Sequence, residues 1–173
     1  MNTNLRKIVT AALFAALTCA ATFAIRIPTP GTSGYIHPGD ALVILSGILL
    51  GPGYGFLAGG IGSALADLLG GYAIYLPVTF VIKGLIALLS GLFYQKIGHT
   101  GSRAYFSVAL GGIADILLVV GGYLLYESLL YGLPAAAASA PANLVQGLGG
   151  LILSLLLYPI VHRALVTILP AET

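Results

Sequence analysis

The stretch ALVILSGILLGPGYGFLAGGIGSALA, residues 41–66, carries no charged side chain and is interrupted only by Gly51-Pro52-Gly53. Whether it forms one element or two decides the architecture. About 20 apolar residues cross the roughly 30 Å hydrocarbon core of a bilayer, so the run is long enough for one span. Glycine and proline side by side mark a turn instead, which predicts two helices, residues 38–50 and 53–69. Outward from this stretch, further uncharged or nearly uncharged runs predict helices at 8–25, 77–94, 105–129 and 142–161. With six spans and an inside N-terminus, Arg6, Lys7, Lys96, Arg103 and Arg163 all flank the inner face, and only Arg26 lies outside. Merging the two central helices would place Lys96 and Arg103 outside, against the positive-inside rule. The expected fold is therefore all-α: a single integral membrane domain, residues 1–173, of six transmembrane helices with both termini cytoplasmic.

Composition agrees and excludes other classes. Of 173 residues, 58% are hydrophobic and 7% charged, against about 25% charged in soluble domains, and the mean hydropathy is +1.03. A soluble globule could not cover its surface with so few polar groups. One cysteine excludes a disulfide scaffold, and a net charge of +2 is no basic stripe for nucleic acid. The first helix shares the basic start and small-residue end of a secretory signal. Its apolar run exceeds the usual core of about 7–15 residues, so it reads as a retained helix.

That helix carries Ala12, Ala16, Ala20 and Ala24 at four-residue spacing. In lipid, helices associate through such small-residue faces, which let backbones approach closely. Glycines in the third, fifth and sixth helices read as internal packing. The alanine face of the first could dock either a sister helix or a partner subunit.

Ionisable groups at membrane depth are costly and mark candidate sites. Asp40, Asp67, Lys83, Glu127, Asn143 and Gln146 all fall in the outer half of the predicted bundle, at the level of Tyr35, His37, Tyr72, Tyr75, Tyr123, Tyr126 and Tyr131. Together they predict a polar, aromatic mouth suited to a small, flat, hydrogen-bonding molecule. Asp40 follows Pro38-Gly39 and reads as a helix N-cap. Asp67 and Lys83 read as a neutralising pair, which leaves Lys83 within reach of a ligand. Asp115, near mid-membrane, is expected to bond a backbone group or hydroxyl, or to be held neutral. Glu127, Asn143 and Gln146 have neither capping nor a charge partner to explain them.

No Gly-Lys dipeptide occurs, so there is no phosphate-cradling loop. Neither metal-ligand spacing nor a nucleophile elbow is present. No cofactor or metal is expected. The chain binds something and borrows its motor, or else runs as a proton-coupled carrier on Asp115 and Glu127; an intramembrane enzyme ranks below both.

Tyr35-Ile-His-Pro-Gly-Asp-Ala41, Gly51-Pro52-x-x-Gly55, Gly59-Gly60-Ile-Gly-Ser-Ala-Leu-Ala-Asp67 and Pro77-x-Thr79-x-x-x-Lys83-Gly84, together with the alanine ladder, resemble the substrate-binding S component of energy-coupling factor (ECF) vitamin transporters. Within the riboflavin-transporter-like family, the pyridoxine and hydroxymethylpyrimidine branch is the nearest. The resemblance implies a bacterial plasma-membrane subunit that binds a vitamin from outside under a lid, here residues 26–37. It also implies docking, through Ala12, Ala16 and Ala20, to a transmembrane coupling subunit and two cytoplasmic ATPases. Its substrate-binding positions correspond here to Tyr35, His37, Lys83, Tyr123, Glu127, Asn143 and Gln146, with Asp40 and Asp67 structural. Neutral Gln146 stands where riboflavin binders usually have a cation, and the chain has no tryptophan, unlike the thiamin-binding branch. A small B-vitamin or precursor such as pyridoxine or hydroxymethylpyrimidine is the expected substrate, with riboflavin or another vitamin as the alternative.

Overall fold

The computed structural model describes residues 3–168. Six helices follow in order: α1 (Thr3–Ala24), α2 (Asp40–Leu50), α3 (Pro52–Gly70), α4 (Leu76–Ile97), α5 (Gly101–Tyr131) and α6 (Leu133–Ile168). Four of them, α1, α4, α5 and α6, are long and apolar enough to cross a membrane.

The turn at Gly51-Pro52 is present. Gly51 takes φ +82°, a conformation that suits glycine, and its N–H bonds the Gly47 carbonyl to close α2. Pro52 then opens α3, where its missing N–H costs no helical bond. The resulting α2 has only 11 residues, about 16 Å, too short to cross a bilayer by itself. It is instead the centre of the bundle, buried from Asp40 to Ile48 and touching α1, α3, α4, α5 and α6.

Glycines set how closely its neighbours approach. A Cβ on Gly47 would lie 1.9 Å from the Ala87 carbonyl of α4, and one on Gly55 would lie 2.5 Å from Gly47 Cα. Three backbones therefore cross in near contact. On the other side of α3, a Cβ on Gly62 would lie 2.4 Å from the Ala15 carbonyl of α1.

Several boundaries differ from the sequence expectation: α1 starts at Thr3 rather than 8, and α6 ends at Ile168 rather than 161. Helix α6 begins at Leu133 rather than 142, and carries Pro141 inside it. The alanines at 135–138 and 140 are the strongest helix formers, and they continue the helix up to and through Pro141, which supplies no N–H to the carbonyl four residues before it. Helix α5 likewise runs from Gly101, four residues before the expected start.

Residues 26–37, the segment that the resemblance marks as a lid, contain a short hairpin: β1 (Ile27–Pro28) pairs antiparallel with β2 (Tyr35–Ile36). Thr29 N–H bonds the Gly34 carbonyl at 3.0 Å, fixing the turn. A Cβ on Gly31 would meet the Ala135 carbonyl at 2.9 Å, so the hairpin tip rests on the start of α6.

Candidate functional site

Under the hairpin, α3, α4, α5 and α6 line a small, partly open polar pocket. Its roof is Gly34, Tyr35 and His37. Asp67 enters from the last turn of α3, Tyr75 and Thr79 from the start of α4, Tyr123 and Glu127 from one face of α5, and Asn143 from α6. Tyr75 and Thr79, and likewise Tyr123 and Glu127, are four residues apart, so each pair presents a single helix face inward.

The walls are tied together. Tyr35 OH donates to Asp67 Oδ1 at 2.7 Å, and its ring lies 4.4 Å from that of Tyr72. Tyr75 OH donates to Glu127 Oε1 at 3.0 Å, while Ser139 of α6 donates to the other Glu127 oxygen. The hydroxyls of Thr79 and Tyr123 pair at 2.9 Å. Two buried wall atoms, Asp67 Oδ2 and Asn143 Nδ2, have no hydrogen-bond partner.

Below this layer lies a second one. Lys83 Nζ meets Asp40 Oδ1 at 2.5 Å, and neither side chain has any exposure. Gln146 Nε2 donates to Asp40 Oδ2 at 2.7 Å, and its Oε1 accepts the His37 backbone N–H at 3.1 Å. A lone lysine or aspartate at this depth would be prohibitively costly, and each offsets the other's loss of water. His37 sits in the chain segment that plunges from the hairpin to α2. Burial, with Lys83 nearby, pushes its imidazole down to about 4, against the opposing pull of Asp40. It is therefore neutral at pH 7.

Of the expected binding residues, Tyr35, His37, Tyr123, Glu127 and Asn143 meet at the cavity. Lys83 and Gln146 do not: both belong to the layer beneath, held by Asp40. Asp40 is not the N-cap. Gly39 takes that position, and the Asp40 carboxylate turns inward to the lysine. Asp67 does not pair with Lys83; it accepts Tyr35 and faces the cavity. Asp115 lies where α2, α5 and α6 converge. A Cβ on Gly150 would meet its Oδ2 at 2.6 Å and Asp40 Cβ at 2.9 Å, and neither Asp115 oxygen bonds a backbone group or hydroxyl.

Thr79 and Ser139 were missed as site residues, and Tyr75 was placed at the mouth but not among the binding residues. Tyr75, Thr79 and Lys83 share one face of α4 at four-residue spacing, a signal that could have placed the first two beside the third.

On the opposite side of the molecule, α1 buries Ala11, Phe14, Thr18 and Thr22. Ala12, Ala16 and Ala20 are exposed. Alongside them an open apolar groove runs between α1 and α3, with Tyr54, Leu57 and Ile61 on its far wall.

Comparison with known proteins gives a consistent picture. The family model described as "ECF-type riboflavin transporter, S component" matches residues 2–163. An uncharacterised protein of Pyrococcus woesei is 38% identical over 132 residues, 76% of this chain and 85% of its own. A protein of Lactococcus lactis named thiamine precursor transporter HmpT is 29% identical over 163 residues, 94% of this chain and 91% of its own. Among solved structures, the S component of a bacterial ECF transporter superposes with a TM-score of 0.70 at 18% identity, covering 94% of this chain and 98% of that one.

Proposed function

Because the chain belongs to the family of ECF-type riboflavin transporter S components, we propose that its cavity binds a small B-vitamin or vitamin precursor such as pyridoxine or hydroxymethylpyrimidine. As a family member it is a multi-pass membrane protein and the substrate-binding part of an importer, not an enzyme. One observation carries the substrate reading: a small polar pocket walled by tyrosines, an asparagine and two carboxylates, under a hairpin. Rings of that size stack on tyrosine faces and need few hydrogen bonds. The name of the Lactococcus relative, a thiamine precursor transporter, supports the same substrate class.

In this reading Tyr35, His37, Tyr123, Glu127 and Asn143 contact the ligand, and Tyr75, Thr79 and Asp67 join them. Lys83, Asp40 and Gln146 hold the floor and the root of the hairpin. Six spans with both ends inside remain the topology that leaves Arg6, Lys7, Lys96 and Arg103 on the cytoplasmic face, so the cavity opens outward. The exposed face of Ala12, Ala16 and Ala20 is the surface that meets a transmembrane coupling subunit, itself carried by two cytoplasmic ATPases.

The test is binding by the purified chain, followed by thermal shift or native mass measurement against B-group vitamins and their precursors. Retention of a single small vitamin or precursor is expected. Binding of none of them sinks the reading. Uphill accumulation by the chain reconstituted alone, driven by a proton gradient, would replace it with a secondary carrier.

A further inference from the structure

We propose that the cytoplasmic end of α4, α5 and α6 seats an anionic phospholipid, whose phosphate is held by Lys96 and Arg103 on a rim they share with Arg163. This stands apart from the cargo in the pocket and rests only on the membrane topology proposed above.

The two signs of charge are segregated. Asp40, Asp67, Asp115 and Glu127 are all buried, none more than 4% exposed, and Glu172 lies outside the described residues. Lys96, Arg103 and Arg163 are exposed. Among the described residues, then, every exposed charged side chain is a cation. The stability of the fold explains only some of them. Lys96 sits in the last turn of α4, where the helix dipole favours a cation. Arg103 sits in the first turn of α5, where the same dipole disfavours one, and that turn holds no acidic residue. Its stem folds back over Gly98, with Cδ 3.2 Å from where a Cβ would stand, two residues from Lys96.

Tyrosines tie the three helix ends together. The hydroxyls of Tyr94 on α4 and Tyr158 on α6 pair at 2.8 Å, and the Tyr105 ring of α5 packs edge-on against Tyr158 at 5.4 Å. Tyr158 also packs against His162, the neighbour of Arg163.

What adjoins the cations decides what they hold. Phe106, Leu156 and Ile160 of α5 and α6 are 57%, 64% and 66% exposed, a surface suited to acyl chains. Tyr105 is exposed at the rim, where aromatic rings mark the membrane interface. The proposed docking face lies on α1, which packs against α2 and α3, so it does not cover this end of α4 to α6. A phosphate matches the fork of an arginine, with a lysine adding charge beside it. A zwitterionic headgroup would bring its own ammonium against the same cations.

The test titrates the full-length chain in detergent with phosphatidylglycerol and with phosphatidylcholine of the same acyl chains, read by native mass measurement. A cation near a membrane surface strengthens anionic-lipid binding about fivefold, so phosphatidylglycerol should bind at least about tenfold more tightly. That preference should vanish as salt approaches about 1 M, where screening acts within roughly 3 Å. Lys96→Gln with Arg103→Gln should bring the two lipids within about threefold of each other, at an unchanged melting temperature. Exchanging the cations, Lys96→Arg with Arg103→Lys, should keep the preference, and so should Lys7→Gln at the start of α1. Equal binding of both lipids by the natural protein overturns the inference. So does a preference that survives in the double Gln variant, or that falls as far in Lys7→Gln. Displacement of the lipid by inorganic phosphate would reveal a bare anion site and overturn it too. If the double Gln variant keeps its lipid preference but no longer co-purifies with the coupling subunit and ATPases, the rim is a protein interface instead. None of these readouts involves the vitamin, so failure of the cargo reading leaves this one standing.

Discussion

Asp40 shows how magnitudes choose between two uses of one side chain. As an N-cap it would contribute about 1 kcal/mol. As the partner of a fully buried lysine it prevents a penalty of roughly 3–5 kcal/mol, and the carboxylate points to Lys83. The sequence flags both residues as costly, but nothing in it indicates a pairing across 43 positions; Asp67 was the nearer choice along the chain and the wrong one. Asp40→Asn should therefore destabilise the protein by about 3–5 kcal/mol in a thermal or denaturant melt, and Asp40→Asn with Lys83→Met should recover most of it. A double variant as unstable as the single one would show that the pair is not what matters. His37 gives a pH dependence. Its folded pKa of about 4 lies below the ordinary value of 6.5, so between those limits the unfolded chain takes up a proton that the folded one refuses. That contribution to stability is full above pH 6.5 and is lost as pH falls toward 4. Melting temperature should decline across that window, and His37→Asn should flatten the decline.

At the scale of elements, helices announced by uncharged runs and by Gly-Pro punctuation were legible, and their crossings were not. Gly51-Pro52 works as a break because glycine supplies a positive φ and proline begins the next helix. Pro141 has the same letter and no such effect, since alanines on its N-terminal side hold the helix through it. Periodicity reveals neither which face of a short buried helix meets which neighbour nor that α2 is too short to span. The reason is that α2 is apolar all round, as a central helix must be. The glycines nevertheless make a sharp prediction. Gly47→Ala drives a methyl into the Ala87 carbonyl, and overpacking of this kind costs about 1–3 kcal/mol or more. Gly53, with nothing within 4 Å of its added Cβ, should become Ala with no loss and a gain of up to about 1 kcal/mol in helix propensity. Paired melts of the two variants check both. Equal effects would mean that the α2–α4 contact is not a close one.

At the scale of the whole molecule, the proposed cargo site and the proposed docking face are built from different parts of the chain. The cavity is built from the hairpin and α3 to α6. The exposed alanines lie on α1, which among the described residues packs against α2 and α3 alone of the helices and adds no side chain to the pocket lining. Small exposed residues at four-residue spacing leave the α1 backbone open to a second helix at short range, which a bulky side chain would forbid. Ala16→Phe stands clear of the buried residues Phe14 and Thr18, so the bundle has no reason to repack around it. The variant should bind the vitamin with unchanged affinity and melt at an unchanged temperature. It should fail to co-purify with the coupling subunit and ATPases, and vitamin uptake by cells that depend on it should stop. Ala16→Gly, which keeps the face small, should transport. Joint loss of binding and uptake in Ala16→Phe would mean that the face packs within the bundle, and full uptake would place the docking surface elsewhere.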